Sequence, residues 1–492
     1  MRSPIPLILG LAATAYTQAD LEACLNDSGV PVDTVSGTDW ARDAAPFNTR
    51  VPYTPATIAV TTTIEHIQAA VLCGVTAGVK VTPKSGGHSY ASLGLGGEDG
   101  HLVVELDRMY DVTLESEDTG VAVVQPGARL GHLASVLWED YGRGVAHGTC
   151  AGVGISGHFL HGGFGFSSHT HGLALDAILS ATIVLANGSA VEASPTQNAD
   201  LLWALKGAGS NFGIVASYRL QTFVPPPELT WFGASLGWTQ STAVAGLEAL
   251  EAYARDEMPA EVNFRVSAYG YGGASIEGLY HGSEADMRAA LAPLMETAAP
   301  SGGITSMGNG SWIDAVTHYA YTNNIDQTTP SAQENFYAKS LVLKGLNGTT
   351  AQAFVDYWYN NASQTTTRSW WFQMDMHGGA HSAISLNPNN ASAYAHRDKL
   401  YMIQFYDRVY SGTYPTTGFA LLDGWVAATT AQLPDDGADW GMYINYADTS
   451  LDRGAAQRLY YGENLPELQR LKALYDPGEL FFYPQSIEPV VA

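Results

Sequence analysis

Apolar and polar positions recur with two different periods in the first part of the chain, and the periods predict interleaved helices and strands. Helical spacing runs from Ile64 to Gly78 and again across residues 130–142. Shorter apolar runs at 79–83, 101–106 and 120–127 are typical of strands. This alternation predicts an α+β domain.

Residues 175–222 continue the same pattern. The stretch at 175–194 predicts two paired strands joined at Asn187 and Gly188, because an Asn-Gly pair adopts the backbone angles of a two-residue hairpin turn. The stretch at 199–222 predicts a helix, a glycine loop and a strand.

A run of three prolines at 225–227 separates this region from a second one. Beyond it, alternating apolar positions at 264–273, 369–379 and 400–410 predict strands, and helical patterns such as 241–256 lie between them. The sequence therefore predicts four parts. In chain order they are a signal peptide at 1–19, a first domain at 20–225, a sheet-rich second domain at 226–439 and a C-terminal segment at 440–492.

The N-terminus has the layout of a secretory signal peptide, and the alternative is a buried helix. Arg2 precedes a short apolar run, and Ala15 and Ala19 offer cleavage positions. No other stretch approaches the roughly 20 apolar residues of a membrane span. Six glycosylation sequons agree with export, so we expect a secreted protein. The sequons begin at Asn26, Asn187, Asn309, Asn347, Asn361 and Asn390.

Composition and charge narrow the range of partners. Apolar residues make up 46% and charged residues 14% of the 492 residues, which is enough apolar mass for a buried core. Acidic side chains number 48 against 23 Lys and Arg, a net charge of -25. This charge repels phosphate backbones and anionic headgroups, which argues against nucleic acid and membrane partners.

The sequence has three cysteines, Cys24, Cys73 and Cys150. In an oxidising compartment two of them can pair, which leaves one thiol over. A bridge between Cys24 and Cys73 closes a loop of about 50 residues and contributes about 4 kcal/mol by loop entropy. The remaining thiol is expected to be either buried or chemically used.

A glycine-rich turn follows the predicted strand at 79–83. Gly86 and Gly87 stand directly before His88, so several backbone N–H groups meet in a small space. Such a nest favours an anionic group such as a pyrophosphate. The alternative is an ordinary glycine turn with a solvated histidine.

A second glycine-rich stretch runs from 147 to 176 and contains Gly152, Gly154 and Gly157 in the spacing of a dinucleotide fingerprint. We reject a Rossmann interpretation, because that fingerprint opens a helix in a βαβ unit whereas this stretch stays glycine-rich. The glycines still imply close approach to a flat or anionic group. The spacing of the five histidines here lacks the helical pair and carboxylate of a metal site, so no metal is predicted. They are His147, His158, His161, His169 and His171.

Trp371, Gln373 and Asp375 occupy alternate positions of a predicted strand and therefore share one face. An aromatic ring, an amide and a carboxylate on one face form a credible sugar-binding surface. Gln404, in another predicted strand, could join them. The alternative is a half-exposed sheet face without a ligand.

Tyr443 and Tyr446 flank Asn445 near the C-terminus. A tyrosine beside a carboxylate can act as a general base when its neighbours stabilise the phenolate. The sequence does not choose between the two tyrosines.

Taken together, these motifs resemble the berberine-bridge-enzyme-like branch of the FAD-linked oxidases with the vanillyl-alcohol-oxidase fold. The resemblance covers nearly the whole chain, and within the family WWFQMDMHGG, SAYAHRD and QFYD are most similar to the fungal secreted oligosaccharide oxidases. The motifs, in the family's order, are SGGHSY at 85–90, GTC at 148–150, GFGFSSHTHGL at 163–173, YINYAD at 443–448 and the closing YDP…LFFYPQSIEP.

The resemblance implies an α+β fold with a two-part FAD-binding domain of the vanillyl-alcohol-oxidase (PCMH) type. The substrate domain is inserted and built on a large antiparallel sheet flanked by helices. On this view residues 20–225 bind FAD, residues 226–439 bind substrate, and 440–492 is a berberine-bridge-like segment that returns to the FAD domain.

The resemblance also implies FAD attached by two bonds, from His88 to the 8α position of the flavin and from Cys150 to its position 6. Cys150 is then the odd thiol, and Cys24 and Cys73 form the disulfide. Other residues of the two glycine-rich stretches would contact the cofactor. They are Ser85, Gly86, Gly87, Ser89, Gly148, Gly152, Gly154 and Gly157.

The implied activity is oxidation of the reducing-end anomeric hydroxyl of an oligosaccharide, with β-1,4 xylo- or gluco-oligosaccharides favoured. Tyr446 would take the proton of that hydroxyl and Asp375 would be its partner. The products would be a lactone, which hydrolyses to an aldonic acid, and hydrogen peroxide from dioxygen. A monomer is expected. The expected sugar-binding residues are Tyr90, Trp371, Gln373, Gln404, Tyr319 or Tyr321, and Tyr443, which is also the alternative base.

One departure concerns Ser267, which stands where the glucooligosaccharide enzymes carry an acidic side chain. Loss of that carboxylate makes a chain of smaller pentose sugars a plausible substrate.

Two other hypotheses about the function stay open. One is a flavin oxidase of secondary metabolism, which would not need the sugar-binding face, and the other is a non-catalytic secreted glycoprotein of the same fold.

Overall fold

The computed structural model describes residues 17–270, 273–327, 329, 332–434 and 438–490. Most of the predicted signal peptide therefore lies outside the described residues. Thr17 caps the first helix by accepting a hydrogen bond from the backbone of Asp20. Among the helices of the described ranges, none is long and apolar enough to cross a bilayer.

Strands occur from one end of the described chain to the other. In order they are β1 (Val32–Asp33), β2 (Thr57–Val60), β3 (Val81–Lys84), β4 (Leu102–Glu105), β5 (Val112–Ser116), β6 (Val121–Val124), β7 (Ile178–Val184), β8 (Ala190–Ala193), β9 (Ile214–Gln221), β10 (Leu229–Ser235), β11 (Val262–Tyr269), β12 (Ser275–Tyr280), β13 (Gly303–Gly310), β14 (Asn335–Leu343), β15 (Ser369–Met376), β16 (Tyr401–Val409) and β17 (Trp440–Gly441).

Helices alternate with these strands. In order they are α1 (Gln18–Asp27), α2 (Trp40–Asp43), α3 (Ile64–Ala77), α4 (Leu130–Tyr141), α5 (Ile155–Phe159), α6 (Ser168–His171), α7 (Ala199–Ala208), α8 (Ala243–Ala252), α9 (Glu284–Thr297), α10 (Trp312–Ala320), α11 (Gly348–Asn360), α12 (Thr416–Thr430), α13 (Arg453–Tyr461) and α14 (Leu465–Tyr475).

The first sheet has the spatial order β1-β2-β4-β3, and its last three strands are parallel. Their apolar side chains pack with α1 and α3 in one buried cluster. Cys24 and Cys73 join these two helices as a disulfide, which is the pairing that the resemblance implies. Helix α3 ends at Gly78, whose φ of 67° closes the helix in the left-handed conformation. The helix predicted at 64–78 is therefore confirmed.

The second sheet has the order β5-β6-β9-β7-β8 and is antiparallel. The predicted hairpin at Asn187 and Gly188 joins β7 to β8, and Gly188 has a φ of 77°. The helix predicted at 130–142 is α4, which Gly142 ends in the left-handed conformation. Its apolar face packs onto this sheet.

The third sheet is a large antiparallel one with the order β13-β10-β12-β11-β15-β16-β14-β17. Helices α8, α9, α11 and α12 cover one of its faces, where Phe372 and Phe405 meet Trp425. The α+β class and the large sheet flanked by helices are thus confirmed. The patterns predicted β11, β15 and β16 but not β13, whose sequence GITSMGNG has little apolar periodicity.

The C-terminal segment contacts the first and third sheets and the turn before β9 of the second. Its strand β17 pairs with β14 in the large sheet. Farther along, the carbonyl of Leu480 accepts a hydrogen bond from the N–H of Val81, and the N–H of Ile487 donates to Asn211 Oδ1. The exact domain boundaries stay a prediction.

Candidate active site

A cavity of about 620 Å³ lies where the two glycine-rich loops face the large sheet. All but one of the predicted catalytic, cofactor and sugar residues line it. These are Ser85, Gly86, Gly87, His88, Ser89, Tyr90, Gly148, Cys150, Gly152, Gly154, Gly157, Tyr319, Tyr321, Trp371, Gln373, Asp375, Gln404 and Tyr446. The exception is Tyr443.

His88 projects from the loop that leaves β3. Its ring stacks on Phe47, with centroids 3.7 Å apart. Burial lowers the pKa of His88 to about 4, so the imidazole is neutral and keeps a nitrogen lone pair at neutral pH. Phe47 is a wall residue that no sequence pattern indicated.

Cys150 is the free cysteine, and its surface is open to the cavity. Burial raises the pKa of the thiol, while the Arg265 guanidinium opposes the shift. Two histidines of the glycine-rich stretch hold the backbone around this site, His158 in the loop of Cys150 and His161 at helix α5. His158 Nε2 accepts from the N–H of Gly148 at 2.9 Å, and His161 bridges Gly157 and Ser210.

The two loops touch through glycines. A Cβ atom on Gly86 would lie 2.3 Å from the nitrogen of Gly154, and one on Gly154 would lie 2.1 Å from the nitrogen of Gly86. At Gly157 a Cβ would meet nothing within 4 Å, so its backbone faces open cavity. This combination leaves room for a flat ring and a pyrophosphate against bare backbone, and the residues present therefore fit FAD.

Strands β11, β15 and β16 of the large sheet supply the opposite wall of the cavity. Their register with one another and with the flanking strands β12 and β14 arranges side chains in three rows, because opposite residues of antiparallel strands share a face. The first row is charged except for one methionine, the second is uncharged and polar, and the third is largely aromatic. The first row contains Glu277, Arg265, Asp375 and Met402. The second contains Ser275, Ser267, Gln373, Gln404 and Ser340. The third contains Tyr269, Trp371, Tyr406 and Ala338.

The aromatic and amide side chains of this wall are held by one another. Trp371 stacks on Tyr406 with centroids 4.7 Å apart and an interplanar angle of 10°. Gln404 Nε2 donates to the hydroxyl of Tyr90 at 2.8 Å. The ring of Tyr90 lies nearly parallel to that of Tyr446, 5.9 Å away. A flat ligand can therefore meet several preorganised rings and amides.

Asp375 and Tyr446 line the same cavity, and the charge of Asp375 acts on Tyr446. Burial raises the pKa of Asp375 to about 7; Arg265 opposes this shift and Glu277 adds to it. Burial, and then the charge of Asp375, raise the pKa of Tyr446 well above its ordinary value of 10. Above about pH 7 the site therefore holds a carboxylate beside a neutral phenol.

Arg265 is the functional residue that sequence reasoning missed. Its Nη1 donates to Gln373 Oε1 at 3.0 Å, and its Nε lies 2.9 Å from Glu277 Oε1. The guanidinium also stands 4.6 Å above the ring of Phe166. The available signal was a single cation in the otherwise uncharged stretch at 262–268, which is buried throughout.

The sequence could not choose between Tyr319 and Tyr321 as a sugar-binding residue. The structure places the two side chains differently. Tyr319 is only 3% exposed, and its hydroxyl donates to the carbonyl of Gly278. Tyr321 is 70% exposed and donates to Glu277 Oε2 at 2.7 Å. Tyr321 is the one whose ring is free to meet a ligand.

Tyr443 lies behind the wall rather than on it. Its hydroxyl accepts from the N–H of Gly163 and from Asn445 Nδ2, each at 2.8 Å. Burial raises the pKa of Tyr443 to about 12. Its ring packs edge-on against Tyr446, so Tyr443 supports that side chain instead of reaching the cavity.

Comparisons with known proteins identify the family of this chain. A model of an FAD binding domain matches residues 55–194, and a model of berberine and berberine-like proteins matches residues 442–488. A carbohydrate oxidase of Microdochium nivale is 53% identical over 497 residues, which cover 100% of each chain. The chain belongs to the berberine-bridge-enzyme-like family of FAD-linked oxidases. It is an oxidoreductase, and FAD is its cofactor.

Two solved structures extend the comparison. A xylooligosaccharide oxidase of Myceliophthora thermophila in complex with xylobiose is 52% identical, with a TM-score of 0.93 over 96% of this chain and 100% of that one. A glucooligosaccharide oxidase of Acremonium strictum with a 6-S-cysteinyl, 8α-N1-histidyl FAD is 42% identical, with a TM-score of 0.93 over the same shares.

Proposed function

We propose that this FAD-linked oxidase is an oligosaccharide oxidase that converts the reducing-end anomeric hydroxyl to a lactone and reduces dioxygen to hydrogen peroxide. One observation carries the proposal. Asp375, Tyr446 and the sugar-binding face of Trp371 and Gln373 line the same cavity as His88. The relatives named above, which act on carbohydrates by their names, support the substrate class.

His88 and Cys150 are the proposed attachment points of FAD. The neutral imidazole has a nucleophilic nitrogen, and the thiol is open to the same cavity. The histidyl and cysteinyl links of the glucooligosaccharide oxidase support both assignments. When bound, FAD supplies the acceptor for the two electrons that leave the anomeric carbon and passes them to dioxygen.

The protein's own part is to bind the sugar and move one proton. Trp371 offers a stacking surface, and the amides of Gln373 and Gln404 can hydrogen-bond ring hydroxyls. Tyr446 accepts the proton of the anomeric hydroxyl while its own phenolic proton passes to Asp375. Because the phenol has the higher pKa, it is neutral before and after the transfer.

The preferred sugar is proposed to be a β-1,4 xylo- or gluco-oligosaccharide. Ser267 places a short hydroxyl in the polar row beside Gln373, so this part of the wall carries no acid to hold an extra sugar group. A pentose chain, which lacks the exocyclic hydroxymethyl group, suits such a wall.

The decisive test is a peroxide-coupled screen of xylobiose, cellobiose and diacetylchitobiose. We expect one peroxide per aldonic acid with xylobiose or cellobiose. Peroxide from none of the three sugars would contradict the proposal.

The protein is further proposed to be secreted. The Cys24–Cys73 disulfide and the exposure of all six sequon asparagines support this. Recovery from the culture medium, with a mass decrease on endoglycosidase treatment, is the expected result, and retention in the cell as an unglycosylated chain would oppose it.

A further inference from the structure

A buried arginine lies between the two glycine-rich loops and takes no part in the proposed chemistry. Arg129 is the residue before α4, and only 2% of its surface is exposed. Its backbone forms an antiparallel bridge with Gly154. The side chain runs to the place where Gly86 and Gly154 are in backbone contact, and its Nη1 lies 3.0 Å from an added Cβ on Gly86.

One nitrogen of this guanidinium ties both loops together. Arg129 Nη1 donates to the carbonyl of Gly86 at 2.8 Å and to the carbonyl of Gly152 at 2.5 Å. Gly86 stands two residues before His88, and Gly152 stands two residues after Cys150. A rotation or separation of either loop would break one of these charge-assisted hydrogen bonds, which are stronger than neutral ones.

Both acceptors are backbone carbonyls rather than carboxylates. Burial lowers the pKa of Arg129, and the charges of Glu105 and Asp107 partly offset this. Burying a cation is costly unless it is well hydrogen-bonded. A fold that keeps a guanidinium at this position therefore uses it to fix the two carbonyls.

We propose that Arg129 is a positioning residue that holds the loops of His88 and Cys150 at the spacing at which both can bond to one flavin ring. This inference rests on the proposed double attachment. Each attachment replaces one flavin hydrogen by a bond to nitrogen or sulfur, and the protein group loses its own hydrogen. Each attachment therefore releases two protons and two electrons, which reduce one dioxygen to one hydrogen peroxide.

The charge of Arg129 has a second effect on the same loop. It contributes to the low pKa of His88, after the larger effect of burial. The imidazole therefore keeps its lone pair, which a protonated ring would lack. The hydrogen bonds of Arg129 to both loops and its positive charge both favour flavin attachment. Substitutions of Arg129 that keep or remove the charge can separate the two effects.

The test compares Arg129→Met with Arg129→Lys and with a matched control, Arg143→Met. Arg143 follows the other end of α4 and donates to the carbonyl of Glu117, away from the cavity. Lysine keeps the positive charge, but its Nζ is one bond nearer to the backbone than the Nη1 atom that donates to both carbonyls. Intact mass after denaturation, and the masses of the peptides that contain His88 and Cys150, give the fraction of protein with two, one or no flavin bonds.

We expect the doubly attached fraction to fall at least fivefold in Arg129→Met and at least twofold in Arg129→Lys, with singly attached flavin in their place. Arg143→Met should match the wild type. Unchanged double attachment in Arg129→Met, or in Arg129→Lys if the methionine variant does not fold, overturns the inference. Wild-type protein without attached flavin overturns the proposed attachment itself, so the two failures are distinguishable.

Discussion

At the scale of single residues, two buried groups in the cavity have acidities suited to proton transfer. The pKa of Asp375 is raised to about 7, whereas that of Tyr446 lies well above 10. The difference follows from burial of two different acids near the same guanidinium, that of Arg265. The ionised form of Asp375 is the one that can receive the proton.

We expect the rate at low substrate concentration to rise with pH through about 7 in the wild type. Below this pH Asp375 is protonated and cannot accept the phenolic proton. In Asp375→Asn the rate should fall by about 10²- to 10³-fold and lose this limb of the profile. Initial rates of peroxide formation from pH 5 to 9 check this, with the exposed Asp118→Asn as control. If the rate of Asp375→Asn still rises with pH as in the wild type, the titration belongs to another group.

The same substitution should stabilise the fold. The unfolded carboxyl has a pKa near 3.8 and the folded one about 7, so the stability that Asp375 contributes is complete below pH 3.8 and is lost as the pH rises through 7. Asparagine does not titrate. At pH 8 we expect Asp375→Asn to exceed the wild type by about 1–3 kcal/mol in unfolding free energy. Thermal melts of the flavin-loaded proteins from pH 4.5 to 8 measure this, and a pH-independent difference would refute it.

At the scale of elements, the attachment loops depend on close contact between backbones. The loop after β3 reaches the loop before α5 only because neither Gly86 nor Gly154 has a side chain. Strands β11, β15 and β16 fix the opposite wall by their register, so a slip of one residue would turn the three rows away from the cavity.

Gly154→Ala should separate the two loops, because its Cβ would lie 2.1 Å from the nitrogen of Gly86. We expect a loss of about 1–3 kcal/mol in unfolding free energy together with incomplete flavin attachment. Gly478→Ala is the matched control, since a Cβ there meets nothing within 4 Å. Thermal unfolding and flavin content report both effects. Equal behaviour of the two variants would show that the loops can move apart without cost.

At the scale of the whole molecule, a buried ion pair connects the large sheet to the C-terminal segment that carries Tyr446. Lys339 of β14 lies 2.5 Å from Asp448 and 2.8 Å from Asp423. Asp448 is fully buried and also accepts from the hydroxyl of Tyr337 at 2.9 Å. This network fixes the segment against the wall that is proposed to bind the sugar.

Lys339→Met should lower the free energy of unfolding by about 3–5 kcal/mol, because it leaves the Asp448 carboxylate buried without its cation. Lys344→Met is the matched control at the end of the same region, where the pairs with Asp398 and Asp439 are half-exposed and worth about 1 kcal/mol or less. Denaturant titration compares the two. A similar small effect in both would mean that Asp448 is neutralised by protonation.

The sequence by itself determined the local elements and the chemistry of the two loops. The helix at 64–77 and the hairpin at Asn187 and Gly188 follow from short-range periodicity and turn geometry, which need no knowledge of the rest of the chain. The alternation of Trp371, Gln373 and Asp375 likewise fixed that they share a face.

The tertiary structure alone decided which strands lie side by side. The pairing of β11 with β15 places Arg265 beside Asp375, and the fold brings Phe47 against His88. It also left Tyr443 behind the wall while Tyr446 reached the cavity. Partners far apart in sequence are selected by packing and register over the whole molecule, so no local pattern in the sequence could reveal them.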